Sequence, residues 1–108
     1  MSEELVNVER LGVWLDDLGL EVGQPITVAP LMSGRSNAMF TVHRGGSRWV
    51  LRRPALVAIE RADEGMRREF RILDALNGSN VPHPETVALC DDRKVLGCTF
   101  FLMQQVEG

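Results

Sequence analysis

A glutamate stands among the apolar residues of EGMRREFRILDALN, residues 64–77. Met66, Phe70, Leu73 and Leu76 recur at three- and four-residue spacing, with Ile72 at one edge. That spacing predicts an amphipathic helix, stopped by Gly78. At about 100° per residue, Glu69 projects inside this stripe, between Ile72 and Met66. Arg67, Arg71 and Asp74 point the other way and form the solvated face. A buried carboxylate without a partner costs several kcal/mol. Either Glu69 lies at the end of a shallow stripe and snorkels out, or the element under the helix supplies a cation.

RWVLRRP, residues 48–54, offers that cation. Trp49, Val50 and Leu51 make a strand core, two arginines follow, and Pro54 ends the run because proline cannot donate to a sheet ladder. Strand alternation puts Val50 and Arg52 on one face and Trp49, Leu51 and Arg53 on the other. An Arg52–Glu69 pair, strand to following helix, would satisfy the misplaced carboxylate. Arg53 reads as a solvated charge near the strand's exit.

The flanking sequence fills in the order of elements. Leu5, Val8, Leu11, Leu15 and Leu18 predict a helix over residues 3–18, with Ser2 as its cap and Gly19 as its stop. A short strand is expected over residues 26–30, broken by LMSGRSN, and a second over 38–42. Gly45 and Gly46 make a hairpin turn into the third strand, residues 48–52. After a connector at 55–63 and the helix at 64–77 come an extended NVPHPE link and a fourth strand at 86–90. DDRKVLG reads as a turn with Asp91 and Asp92 as turn formers, and a fifth strand is expected over 99–106. Hairpin-linked strands with separate helices give an α+β class: a five-stranded antiparallel sheet with one packed helix and an N-terminal helix.

A length of 108 residues suits one small domain, 1–108. The net charge of −3 gives no basic field for nucleic acid or an acidic membrane. The apolar runs, residues 55–59 and 100–103 among them, are far too short to span a bilayer, and the acidic start SEELV is unlike a secretory signal. A cytoplasmic protein is expected. Cys90 and Cys98 lack metal or redox spacing, and with His43 and His83 they assemble no zinc site, so both read as small apolar fillers.

A strand cation tied to a glutamate on the next helix is the arrangement of protein-kinase-like phosphotransferases. Together LMSGRSNAMFTV, WVLRRP, REFRIL, VPHPETVAL and FFLMQQVEG, in that order, resemble the N-terminal lobe of the aminoglycoside phosphotransferase family. They are most similar to members related to phosphotransferase domains found beside acyl-CoA dehydrogenases. The resemblance implies a nucleotide-binding lobe of a small-molecule phosphotransferase that moves a phosphoryl group from ATP or GTP, with Mg²⁺, to a hydroxyl acceptor. Ser33, Gly34, Arg35, Ser36 and Asn37 take the place of the phosphate-facing loop; on their own they would equally suit a plain polar hairpin. Val50 matches the small residue packed on the adenine ring, Arg52 the phosphate-binding cation and Glu69 its helix partner. Met103 would back the adenine pocket, a role compatible with a simple core methionine. The Gln104 carbonyl and the Val106 N–H would bond the purine edge. Arginine replaces the lysine of most protein kinases, and the loop lacks their full GxGxxG pattern.

Phosphoryl transfer also needs an acid that orients the acceptor and ligands for the metal. In the family these come from an HGD-type loop and a later aspartate, whereas here His43 precedes Arg44 and His83 precedes Pro84. The chain is therefore expected to lack the C-terminal catalytic lobe, to be inactive alone, and to self-associate through exposed cleft surface. The alternative is a non-catalytic kinase-like interaction module with a vestigial nucleotide site.

Overall fold

The computed structural model describes residues 6–33, 37–54, 63–81 and 83–105, without the side chains of residues 32, 33 and 37. The elements run α1 (Val8–Asp17), β1 (Ile26–Ser33), β2 (Asn37–Arg44), β3 (Ser47–Pro54), α2 (Asp63–Leu76), β4 (Thr86–Cys90), α3 (Arg93–Leu96) and β5 (Phe100–Gln104). The five strands form one sheet in the order β1-β2-β3-β5-β4, each antiparallel to its neighbours. This is the expected α+β architecture, and among the described residues no helix is long and apolar enough to cross a membrane.

Both faces of the sheet are covered. On one side Leu11 and Leu15 of α1 pack with Phe40, Val42, Trp49, Leu51, Phe100 and Leu102. Trp14 meets Phe100 edge-on, with ring centroids 5.0 Å apart. On the other side Met66, Phe70 and Leu73 of α2 cover Val50, Phe101 and Met103. Buried Arg44 ties α1 to β2: its Nη2 donates to Asp16 Oδ1 at 2.6 Å and its Nε to the Gln24 carbonyl at 2.8 Å. The β2–β3 hairpin turns at Gly45, whose φ of +56° is strained for any other residue, and whose Cβ would push the Glu21 carboxylate aside.

Several expected boundaries move. Among the described residues the first helix starts at Val8, and residues 6 and 7 before it are not helical; the expected start at residue 3 lies outside them. Asn7 is extended and its side chain accepts the Arg10 N–H at 3.0 Å, a cap worth about 1 kcal/mol that competes with continuing the helix. Ser2 lies outside the described residues. β1 continues through Leu31 to Ser33, because a register shift between Pro30 and Met32 absorbs the proline and keeps pairing with β2. DDRKVLG is a one-turn helix, α3, rather than a plain turn. Asp92 caps it by accepting the Lys94 N–H, and Gly97 closes it in the left-handed region at φ 84°. The fifth strand is the shorter Phe100–Gln104.

Arg53 is the largest correction. It is 1% exposed, not a solvated charge. Alternation places it with Trp49 and Leu51, as expected, but α1, α3 and Cys98 cover that face. Its Nε donates to the Pro54 carbonyl at 2.8 Å and its Nη1 to the Leu96 carbonyl at 3.3 Å. Burial lowers its pKa, partly offset by Cys98, yet an arginine starts so high that the guanidinium stays charged. Cys90 and Cys98 are buried free thiols, and the filler reading stands.

Candidate functional site

β3 is the central strand, flanked by β2 and β5, so its α2-facing residues have neighbours on both sides. Val50 pairs in register with Thr41 and Met103, and Arg52 with Met39 and Phe101. Phe70 of α2 seats edge-to-face on Phe101, centroids 5.6 Å apart. That contact brings the preceding residue, Glu69, over Arg52.

The two form a forked ion pair. Arg52 Nη2 donates to Glu69 Oε1 at 3.0 Å, and Nε faces Oε2. Nη1 points at the Met39 sulfur, 3.4 Å away. Of the two readings left open by the sequence, the pairing with Arg52 is the one observed, with the carboxylate still partly exposed. Arg52 is 22% exposed and Glu69 36%, so solvent screens the pair, and its share of folding stability is at most about 1 kcal/mol. Among the described residues Nη1 and Nη2 each make one hydrogen bond, which leaves one N–H on each for an anionic oxygen.

Val50 and Met103 sit beside this pair, nearly buried under α2. Gln104 ends β5, is exposed, and donates its N–H to the Glu85 carbonyl at 2.7 Å. Thus Val50, Arg52, Glu69 and Met103 share one side of the β3–β5 pair, while Gln104, in register with Trp49, turns its side chain to the other and offers this side only its backbone. Ser33 and Asn37 end β1 and begin β2, while Gly34, Arg35, Ser36 and Val106 lie outside the described residues.

Two polar networks that the sequence reading missed hold α2. At its start Asp63 Oδ2 accepts from Arg93 Nε at 2.9 Å, and Asp63 Oδ1 accepts the Thr99 N–H at 3.2 Å. One turn on, Arg67 Nε donates to Asp91 Oδ2 at 2.8 Å, and the Thr99 hydroxyl donates to Asp91 Oδ1 at 2.7 Å. At its far end the Thr86 hydroxyl donates to Asp74 at 2.6 Å and accepts from Asn77 at 2.8 Å. Asp63 and Asp91 both titrate below the usual carboxylate range. For Asp63, burial alone would raise the pKa, but hydrogen bonds from Arg93 and Thr99 outweigh it. For Asp91 the hydrogen bond from Arg67 leads, followed by that from Thr99. The capping signature of Asp92 with Gly97 was readable in advance; the reach of Arg67 to Asp91 across elements was not.

An antiparallel five-stranded sheet whose central strand ties a cation to a glutamate on the following helix defines a kinase-like N-terminal lobe. The chain belongs to the phosphotransferase enzyme family, whose sequence profile matches residues 27–108. It is 30% identical to human acyl-CoA dehydrogenase family member 11 over 94 residues, covering 87% of this chain and 12% of that protein. The chicken protein of the same name is 34% identical over 87 residues, covering 77% of this chain and 11% of its own length. A crystal structure titled as a "putative aminoglycoside phosphotransferase" from Ralstonia eutropha JMP134 superposes with a TM-score of 0.75 at 31% identity. The match covers 93% of this chain and 28% of that one. The chain thus spans only about an eighth of the curated relatives it matches.

Proposed function

We propose that this chain is the nucleotide-binding lobe of a small-molecule phosphotransferase that transfers a phosphoryl group from ATP or GTP to a hydroxyl acceptor. The forked Arg52–Glu69 pair carries this reading. A carboxylate holds the guanidinium in one orientation, and the two remaining donors can grip phosphate oxygens as a planar fork. Preorganisation of this kind lowers the ordering cost of binding. Val50 and Met103 supply an apolar wall for a purine, and the Gln104 carbonyl with the Val106 N–H would read its edge. The loop Ser33, Gly34, Arg35, Ser36 and Asn37 would approach the phosphates through its backbone N–H groups.

Transfer itself is assigned to residues outside these 108. Asp63 and Asp91 are engaged by arginines and Thr99, and Asp92 caps α3. Among the described residues no group of three or more His, Cys, Asp or Glu side chains is placed to hold a metal ion, and the ligands for Mg²⁺ are assigned to that further part as well. The acceptor hydroxyl would be recognised and activated by that same further part. A cytoplasmic setting goes with this reading, since two unpaired buried thiols suit a reducing compartment.

Calorimetric titration of the 108-residue chain with ATP, GTP and adenosine tests the reading. ATP or GTP should bind roughly tenfold tighter than the nucleoside, with the advantage shrinking as salt is raised. Equal affinities for ATP and adenosine would remove the phosphate role, and no binding at all would favour the interaction module.

A further inference from the structure

Glu69 reaches Arg52 only if α2 holds one position along its own axis. The apolar contact of α2 with the sheet is narrow: Met66 is its buried residue, with Phe70 and Leu73 half-buried. Apolar contacts are non-directional, so a narrow stripe fixes such a position poorly. Directional hydrogen bonds fix it well, above all those to charged groups. One such bond, from Thr86 to Asp74, holds the far end of α2, and most of the others lie at its first two turns. Asp63 is held by Arg93 and by the Thr99 N–H, and Arg67 is held by Asp91, which the Thr99 hydroxyl also orients. Thr99 is buried and lies two residues before Phe101, the β5 neighbour of Arg52. The connection that leads into the strand flanking the cation therefore also anchors the helix that carries its partner.

We infer that Asp63 and Asp91, joined through Arg93, Arg67 and Thr99, form a polar latch between α2 and the β4–β5 connection that positions Glu69 against Arg52. The inference rests on the nucleotide reading for its effect on affinity, but not for the geometry it describes. Asp63 and Asp91 are positioning residues; they act on phosphate only through Glu69 and Arg52.

The test uses the 108-residue chain carrying Asp63→Asn, Asp91→Asn or the more exposed Arg93→Gln, each alone and with Glu69→Gln. Two quantities are read: the Arg52 Nε–H resonance by NMR, and the affinities for ATP and adenosine. The latch variants should speed solvent exchange of the Arg52 Nε–H and weaken ATP by roughly three- to tenfold, leaving adenosine unchanged. With Glu69→Gln present they should have no further effect on ATP. An unchanged Arg52 resonance overturns the latch, as does an ATP loss that persists in the Glu69→Gln background or is matched for adenosine. If the resonance responds while the unaltered chain binds ATP no better than adenosine, the latch stands and the nucleotide reading falls. Arg93→Gln keeps the test open if either aspartate variant fails to fold.

Discussion

Arg52 and Arg53 are consecutive, yet they leave opposite faces of β3 and meet different partners: Glu69 on α2 for the first, the Pro54 and Leu96 carbonyls for the second. The half-exposed one is held by a carboxylate with donors to spare. Its buried neighbour stitches the strand end to α3. One dipeptide thus divides its labour between a candidate site and the core.

That division gives opposite expectations for the two arginines. Arg53→Leu removes a buried charge whose partners include the Pro54 and Leu96 carbonyls and should cost roughly 2–4 kcal/mol in chemical denaturation. Arg52→Gln breaks a screened, partly exposed pair and should cost less than about 1 kcal/mol. Equal losses in the two variants would contradict the assignment of faces.

Acid should loosen α2 first. Asp63 and Asp91 have folded pKa values below their unfolded ones, so as pH falls the unfolded chain takes up protons before the folded chain does. Their stabilisation is complete above the ordinary aspartate value of about 3.9 and disappears as pH falls through the folded values. Melting temperature should therefore drop on acidification below about pH 4, and the drop should be shallower in Asp91→Asn. A pH series of thermal melts on the two chains checks this.

Cys90 and Cys98 carry raised thiol pKa values, with burial the leading cause in each. Both should resist a thiol reagent in the native chain and react fully in denaturant. Above about pH 8.5 the unfolded thiols ionise while the buried ones stay neutral, so stability should decline there. Fast native labelling of either cysteine would show that the core opens.

Much of this was legible in the sequence because it rests on short-range pattern. The stripe of Met66, Phe70 and Leu73 fixed the face of α2, and alternation along Trp49–Arg53 fixed the faces of β3; together they bring Glu69 to Arg52. What escaped depends on contacts across elements. Nothing near Arg53 in the sequence shows that it is buried, because Leu96 and Cys98, which it meets, are remote in sequence. Asp91 looked like a turn residue because its partners Arg67 and Thr99 lie on other elements. Asn7 displaced the expected helix start because a cap competes with propensity over only one turn. The strand through Leu31 escaped because Pro30, a strand breaker by composition, sits at a register shift.

The central claim is that Arg52, held by Glu69, grips nucleotide phosphate. It is tested most directly by the ratio of ATP to adenosine affinity in the unaltered chain and in Arg52→Gln. The account expects the ratio to fall by about tenfold or more in Arg52→Gln, with adenosine affinity and melting temperature nearly unchanged. An unchanged ratio in a folded Arg52→Gln chain would contradict it.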